Sequence, residues 1–170
     1  MAQIYLLVAG VMLCCIPTCS PGSVLPWYHS LENRELFKLL QQLKSIPSQS
    51  CLNDRTDFKF PWKRGTITQI RMTQGTCFHH QILQQIFNLF STKESHAIWN
   101  NALLHKILFC LDHSLEQMEH REEENLACPH LGIVVRKYFQ RINLHLKEKE
   151  YSPCVWEVVR REIKMCLSLI

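Results

Sequence analysis

Glycine is scarce in this chain, at five of 170 residues. The sequence therefore has neither a glycine-rich loop that could cradle a phosphate nor the G-x-S-x-G turn that presents a hydrolase nucleophile. The H-E-x-x-H pattern of zinc proteases is also missing, and the nearest substitute, His113, Glu116 and His120 at i, i+3 and i+7, is a weak metal signal. We therefore expect no catalytic residue, no cofactor and no bound metal.

Long apolar runs are missing beyond the N-terminus. Residues 1–22 carry no charged side chain, are apolar through most of their length and end in small and polar residues, which is the pattern of a secretory signal peptide. The run is too short to act as an anchor, because a membrane-spanning helix needs about 20 apolar residues. Small residues at Ser20 and Gly22 favour cleavage before Ser23. We expect a secreted, extracellular protein with one domain, residues 23–170, and no membrane insertion.

A strong charge imbalance is missing too. The net charge is +4, from 19 basic and 15 acidic residues, which does not demand nucleic acid as a partner. Basic residues do cluster in VRKYFQR and VVRREIK. On a helix, however, they would form the solvated side of an amphipathic surface. We therefore expect no nucleic-acid binding.

Clean alternation of apolar and polar residues does not occur, so no β-sheet is expected. Apolar residues recur instead with helical spacing in five segments, at about 31–45, 76–91, 96–120, 131–148 and from 153 onward. Ser30 is the expected N-cap of the first helix, and Ser152, followed by Pro153, is the expected N-cap of the last. Five helices of this length predict a helical bundle with a long crossover connection.

The long connection, residues 47–73, contains proline, glycine and aspartate, which predict a loop. It also carries Phe58, Phe60 and Trp62. A loop this long with three aromatic residues is expected to pack against the core and to carry function.

Six of the nine cysteines lie beyond residue 22, and six cysteines allow 15 complete pairings, so the sequence does not give the connectivity. Cys110 and Cys166 fall on apolar helix faces, which favours buried thiols. Cys51 lies in the long loop and Cys154 at a helix start, positions that suit a disulfide better than core packing. A bridge between them would contribute about 4–5 kcal/mol in the chain-entropy description.

Four stretches resemble one family closely: SCLNDRTDFKFP, QQIFNLFSTKES, VRKYFQRI and LKEKEYSPCVWEVVRREI. They are similar, in order and over nearly the whole of residues 23–170, to the type I interferons, nearest the alpha and omega branch. The resemblance implies an all-α, five-helix long-chain cytokine bundle, that is, a four-helix bundle with crossover connections and one extra helix. It also implies the Cys51–Cys154 bridge and a partner, the two-chain type I interferon receptor, through which kinase-linked antiviral and antiproliferative signalling starts.

The resemblance further implies two receptor-binding sets. Positions matching contacts with the higher-affinity receptor chain are Leu52, Arg55, Asp57 and Arg160. Positions matching contacts with the other receptor chain are Phe87, Asn88, Thr92 and Arg136. Without the resemblance, Arg160 would be interpreted as a solvated helix charge and Phe87 as an ordinary core residue.

The chain also departs from the family pattern. The family usually begins its mature chain with a cysteine bridged to the end of the third helix, but here Ser23 and Arg121 occupy those two positions. Cys77 and Cys128 are candidates for a substitute bridge. The short link between the third and fourth helices and the missing polar tail are similar to the short, trophoblast-associated delta subgroup.

The leading interpretation is a secreted, monomeric type I interferon without chemistry of its own. Two alternatives remain: a helical cytokine that uses another class of receptor, and a secreted cationic helical protein that binds glycans or membranes.

Overall fold

The computed structural model describes residues 28–43, 46–122 and 126–170, and the predicted signal peptide lies outside these ranges. The helices are α1 (Tyr28–Gln42), a 3₁₀ segment (Ser48–Asp54), α2 (Arg64–Phe90), α3 (Lys93–Ile98), α4 (Asn101–Glu122), α5 (Pro129–Glu148) and α6 (Pro153–Leu169). The described residues contain no β-strand. None of their helices is long and apolar enough to cross a membrane. The prediction of an all-α chain is confirmed.

The helices pack as a bundle around one apolar core. α4 packs against α1 and α2, α2 also packs against α5, and α6 packs against α1, α5 and the 3₁₀ segment. Trp99 stands at the centre of one end of the core, with its ring 5.1 Å from that of Phe90 and 5.0 Å from that of Trp156. The main partners of α1 are α4 and α6, although α2 follows it in the chain, as expected for a crossover connection.

The start of α6 forms as predicted. The Ser152 side chain accepts a hydrogen bond from the backbone N–H of Val155 at 3.3 Å, and Pro153 occupies the first turn, where its missing N–H has no cost. The turn before it places Glu150 and Tyr151 in the left-handed region, at φ 53° and 54°. The Tyr151 N–H donates to the carbonyl of Leu146 at 2.9 Å, which closes the end of α5.

Two helix starts differ from the sequence-based prediction. α1 begins at Tyr28, so the expected N-cap role of Ser30 is wrong. α2 begins at Arg64 instead of about residue 76, and a kink at Gln74 (φ −141°, ψ 30°) joins its two parts. The first part exists because Ile67 is buried against the core, which outweighs the weak helix propensity of its glycine and threonine neighbours.

The predicted third helix is interrupted. Trp99 ends α3 with an extended backbone (φ −109°, ψ 156°) that turns its ring into the core. The Asn100 side chain then accepts a hydrogen bond from the Leu103 N–H at 3.1 Å and caps the start of α4. A buried indole and a capping asparagine therefore divide one apolar pattern into two helices.

The aromatic residues of the long connection pack against the core, as predicted. Phe58 is buried, and the ring of Phe60 lies 5.4 Å from that of Tyr138 in α5. Trp62 lies edge-on to Phe78 in α2, with 4.8 Å between ring centroids. These contacts fix the path of the connection along α5 towards α2.

Two disulfides between described cysteines join distant parts of the chain, and both proposed pairings are confirmed. Cys51 bonds to Cys154, with Cα atoms 5.1 Å apart, and Cys77 bonds to Cys128, with Cα atoms 6.1 Å apart. Cys166 is a buried free thiol, as predicted, and burial raises its pKa so that it stays neutral. Cys110 is buried as well but is disulfide-bonded, so the prediction of a free thiol is wrong there.

Candidate functional site

A groove of about 310 Å³ lies between the 3₁₀ segment, the residues that follow it and α6. Its lining consists of Ser48, Cys51, Arg55, Thr56, Phe58, Glu157, Val158, Arg161, Glu162 and Met165. The Cys51–Cys154 disulfide joins the two sides of this groove. Because the bond links a loop to the first turn of a helix, the two surfaces cannot separate while it is intact.

The three loop positions of the first predicted set lie beside α6. Leu52 is 55% exposed, which is unusual for a leucine in a segment that packs against the core. Arg55 is exposed and lines the groove. Asp57 is exposed, and its Oδ1 accepts a hydrogen bond from the Lys59 N–H at 2.7 Å. An apolar, a cationic and an anionic side chain are therefore exposed within one short stretch, residues 52–57.

Arg160, the fourth member of that set, does not lie on the surface. Only 3% of it is exposed. Its Nε and Nη2 donate to the two carboxylate oxygens of Glu157 at 2.8 and 2.7 Å, and its Nη1 donates to the carbonyl of Leu40 at 2.9 Å. The interpretation as a solvated helix charge is wrong, and the guanidinium is not displayed for direct pairing with a partner's carboxylates, since its donors are used within the chain.

The Arg160–Glu157 pair instead joins three elements under the groove. The Ser48 hydroxyl of the 3₁₀ segment donates to Glu157 Oε1 at 3.0 Å, while Leu40 belongs to α1. Buried charges require partners of this kind, because an unpaired charge away from water is very costly. Any effect of Arg160 on binding is therefore expected to act through the position of the groove walls. The Glu157-to-Arg160 spacing of i, i+3 was the signal in the sequence that could have revealed this pair.

A second buried polar contact lies deeper in the same wall. The hydroxyl of Tyr138 in α5 donates to Glu162 Oε1 at 2.5 Å, and Tyr138 is fully buried. Burial raises the pKa of Glu162, and the nearby Asp57 carboxylate raises it further, while the hydrogen bond from Tyr138 opposes both effects. Burial likewise raises the pKa of Tyr138 far above its usual range, so the phenol stays a donor. This contact was not predicted from the sequence, because it joins residues of two different helices.

The second predicted set lies on α2, at the N-cap of α3 and on α5, with mixed exposure. Asn88 is exposed and its Oδ1 accepts a hydrogen bond from the Gln84 side chain at 3.2 Å. Phe87 is half-buried: part of its side chain packs against the core, and the rest is exposed. Thr92 accepts a hydrogen bond from the Ser95 N–H at 3.3 Å and caps α3.

Arg136 is exposed and lies where α2 and α5 approach closely. A Cβ atom on Gly132 would lie 3.4 Å from Arg136 Nη1 and 3.5 Å from Gln81 Oε1, so these two side chains meet above the glycine. Gln81 and Asn88 are seven residues apart, which places them on one helix face about 10 Å apart. Arg136 and Asn88 therefore belong to one surface.

The histidines do not form a metal centre in the described part of the chain, where no three His, Cys, Asp or Glu side chains converge as ligands. His80 instead pairs with Glu119 at 3.0 Å, and His79 lies 3.1 Å from Asn33 Oδ1. These contacts join α2 to α4 and to α1.

A bundle of five long helices, with its first long connection fastened covalently to its last helix, is the architecture of a helical cytokine. Comparison with known proteins identifies the family. Residues 25–170 match the model of the interferon alpha/beta domain.

Among similar relatives, interferon alpha-2 of Equus caballus is 44% identical over 170 residues, covering 96% of this chain and 92% of the relative. Interferon alpha-14 of Homo sapiens is 43% identical, with 96% and 90% covered, and interferon alpha-H of Bos taurus is 41% identical, with 95% and 89% covered. The chain belongs to the type I interferon family. The resemblance and the cytokine bundle inferred from the sequence are thereby confirmed.

Proposed function

We propose that this interferon is secreted and acts by binding two chains of a cell-surface receptor, which brings their associated kinases together and starts an antiviral and antiproliferative programme. The observation that supports this most strongly is the groove fastened by Cys51–Cys154, because it holds the exposed Leu52 and Arg55 beside α6. The protein acts by binding alone and performs no chemistry.

The groove is the proposed binding site for the higher-affinity receptor chain. Leu52 offers an exposed apolar side chain that a complementary pocket can bury, which is the usual character of an interface anchor. Arg55 lies at the edge of the groove, where its planar guanidinium can pair with a receptor carboxylate through two hydrogen bonds. Val158 and Met165 supply apolar lining, so the site combines an apolar centre with charged edges.

The surface of α2 and α5 that carries Asn88 and Arg136 is the proposed site for the second receptor chain. Both residues are exposed. Together they form a polar, cationic surface on α2 and α5, and its residues are distant in the sequence from those of the groove. Phe87 is half-buried beside Asn88 and adds apolar area there. Binding at two surfaces by one monomer is what brings two receptor chains together.

Secreted protein, purified from cells that express the full chain, tests the proposal. Cells of the same species that carry an interferon-responsive reporter should respond to it, and an antibody that blocks the receptor should abolish the response. Silence at saturating dose, with protein of native circular dichroism, would contradict the proposal. Capture by the ectodomain of an unrelated cytokine receptor would indicate the alternative cytokine class.

A further inference from the structure

Five cations that the receptor proposal does not use lie on three segments that pack together, namely the long connection, the start of α2 and the middle of α5. We call this group the basic patch, and it consists of Lys59, Lys63, Arg64, Lys137 and Arg141. Four of these side chains are exposed and Arg141 is half-buried. They come from the long connection, the start of α2 and the middle of α5, so the fold assembles the patch from separate parts of the chain.

Arg141 joins the connection to α5. Its Nε donates to the carbonyl of Phe58 at 2.9 Å and its Nη2 donates to the carbonyl of Lys59 at 3.1 Å. Lys59 has a left-handed backbone, at φ 54°, which is uncommon for a residue with a side chain and is supported by the hydrogen bond from its N–H to Asp57. Lys137 lies one turn before Arg141 on the same helix face. The loop and helix cations are therefore held next to each other.

The start of α2 carries cations where helix stability favours anions. Lys63 is the N-cap, Arg64 is the first helical residue, and the first turn contains no acidic residue. The N-terminal end of a helix is electropositive, so two cations there are electrostatically unfavourable. These charges therefore do not serve the stability of α2.

The patch cations also lack carboxylate partners. The ion pairs formed by other lysines and arginines of the described residues include Lys38–Glu35 and Lys149–Asp54, but no carboxylate lies in ion-pair contact with any patch cation there. The neighbouring acids are Asp57, which accepts from the Lys59 backbone, and Glu162, whose raised pKa reflects its burial. The positive charge of the patch is thus largely uncompensated.

The arrangement of the patch fits a linear polyanion. Lys59 and Lys63 are four residues apart in the connection, and Lys137 and Arg141 are about 6 Å apart along α5. Half-buried Trp62, held 5.4 Å from Phe60 and 4.8 Å from Phe78, lies directly before Lys63 and offers an aromatic surface to a sugar ring. A row of cations beside an aromatic residue suits repeated anions on a polysaccharide better than a single phosphate.

We propose that the basic patch binds a sulfated glycosaminoglycan, so that the secreted protein is retained on cell surfaces or matrix close to where it is released. The large exposed apolar side chains of the described residues are Leu52, Met72, Phe109, Ile133 and Leu144, and none belongs to the patch. A membrane-inserting surface would require such side chains. The patch is therefore assigned to a glycan and not to a lipid surface.

Binding of the secreted protein to immobilised heparin tests this inference. We expect binding at physiological salt that weakens steeply as salt is raised, because exposed charges are screened. The triple variant Lys63→Gln, Arg64→Gln, Lys137→Gln should lose about tenfold in affinity and show a flatter salt dependence.

A matched control removes the same charge elsewhere. Lys93, Lys106 and Lys147 are exposed and lie outside the patch, and their triple replacement by glutamine should change heparin affinity by less than about twofold. Equal losses in the two triple variants would show that net charge alone drives binding and would overturn the inference. Absence of wild-type binding at physiological salt would overturn it as well.

Three further measurements identify the class of ligand and separate this inference from the receptor proposal. Binding to hyaluronan, which carries carboxylates but no sulfate, should be much weaker than to heparin, and equal binding would overturn the assignment to sulfate. Binding to phosphatidylserine vesicles in place of heparin would overturn the assignment to a glycan. The patch variant should keep its affinity for the receptor ectodomains, and this binding also shows that the variant is folded. A loss of heparin binding alone then supports the inference independently of signalling.

Discussion

Replacement of Arg160 by alanine is expected to destabilise the whole bundle. Arg160 is 3% exposed. Its guanidinium donates two hydrogen bonds to Glu157 and one to the Leu40 carbonyl. Its removal takes away the two hydrogen bonds that it donates to the carboxylate of Glu157, which is itself 4% exposed. Breaking a buried ion pair in this way costs about 3–5 kcal/mol. That is a large part of a total stability of about 5–15 kcal/mol.

Urea unfolding at pH 7, followed by circular dichroism, measures this loss. The matched control is Arg161→Ala, since Arg161 is the exposed neighbour on the same helix and should change stability by no more than about 0.5 kcal/mol. The double variant Glu157→Leu, Arg160→Met removes both charges together and should recover most of the lost stability, because no unpaired charge remains.

Two outcomes would refute this reasoning. One is a loss below about 1 kcal/mol in Arg160→Ala, equal to that of Arg161→Ala, which would mean that the guanidinium is solvated. The other is a double variant that is less stable than Arg160→Ala alone. Any loss of receptor binding in Arg160→Ala should accompany displaced groove walls, and the double variant should restore part of it.

Three further predictions concern pH, the disulfide and the turn before α6. The raised pKa of Glu162 means that the folded state binds its proton more tightly than the unfolded state, so stability from this group is present below the ordinary glutamate pKa and is lost as pH rises through the higher folded-state pKa. Urea unfolding should therefore show Glu162→Gln gaining on the wild type as pH rises above the ordinary glutamate pKa, and an unchanged difference would contradict the assignment. Replacing Cys51 and Cys154 together by serine should lower the free energy of unfolding by about 4–5 kcal/mol, and an unchanged urea midpoint would contradict the role of the bridge. Glu150→Gly should raise stability by about 0.5–1 kcal/mol, because glycine adopts φ 53° without strain, and a lower melting temperature would contradict that explanation.

Much of the fold followed from local patterns in the sequence. The helical spacing of apolar residues predicted the bundle, and Ser152 with Pro153 predicted the start of α6, because capping depends on residues within one turn. The Cys51–Cys154 bond was also foreseeable, since a cysteine in a loop and one at a helix start both lie where a bridge can form. These predictions depend on local geometry that a short stretch of sequence determines.

The missed features depend on contacts between distant residues. Burial of Arg160 is determined by the Leu40 carbonyl, 120 positions away in the sequence, which no local pattern reveals. The first part of α2 forms because Ile67 reaches the core, and the break before α4 arises because Trp99 turns inward. In each case tertiary packing overrides local propensity.

The position of the groove also explains why the site was only partly predictable. Leu52 and Arg55 were predicted through the resemblance to the family, and both are exposed, with Arg55 in the lining of the groove. The polar pairs beneath that surface, Glu157 with Arg160 and Tyr138 with Glu162, were not predicted. They join the elements that line the groove, so we expect them to support the proposed site.

The affinity of the purified protein for the ectodomain of the higher-affinity receptor chain tests the central claim most directly. The measurement compares the wild type with Arg55→Ala, at the edge of the groove, and with Lys106→Ala, an exposed cation on α4. We predict a loss of about 10- to 100-fold for Arg55→Ala and no change for Lys106→Ala. Equal affinity of all three proteins would contradict the assignment of the groove as the receptor-binding site.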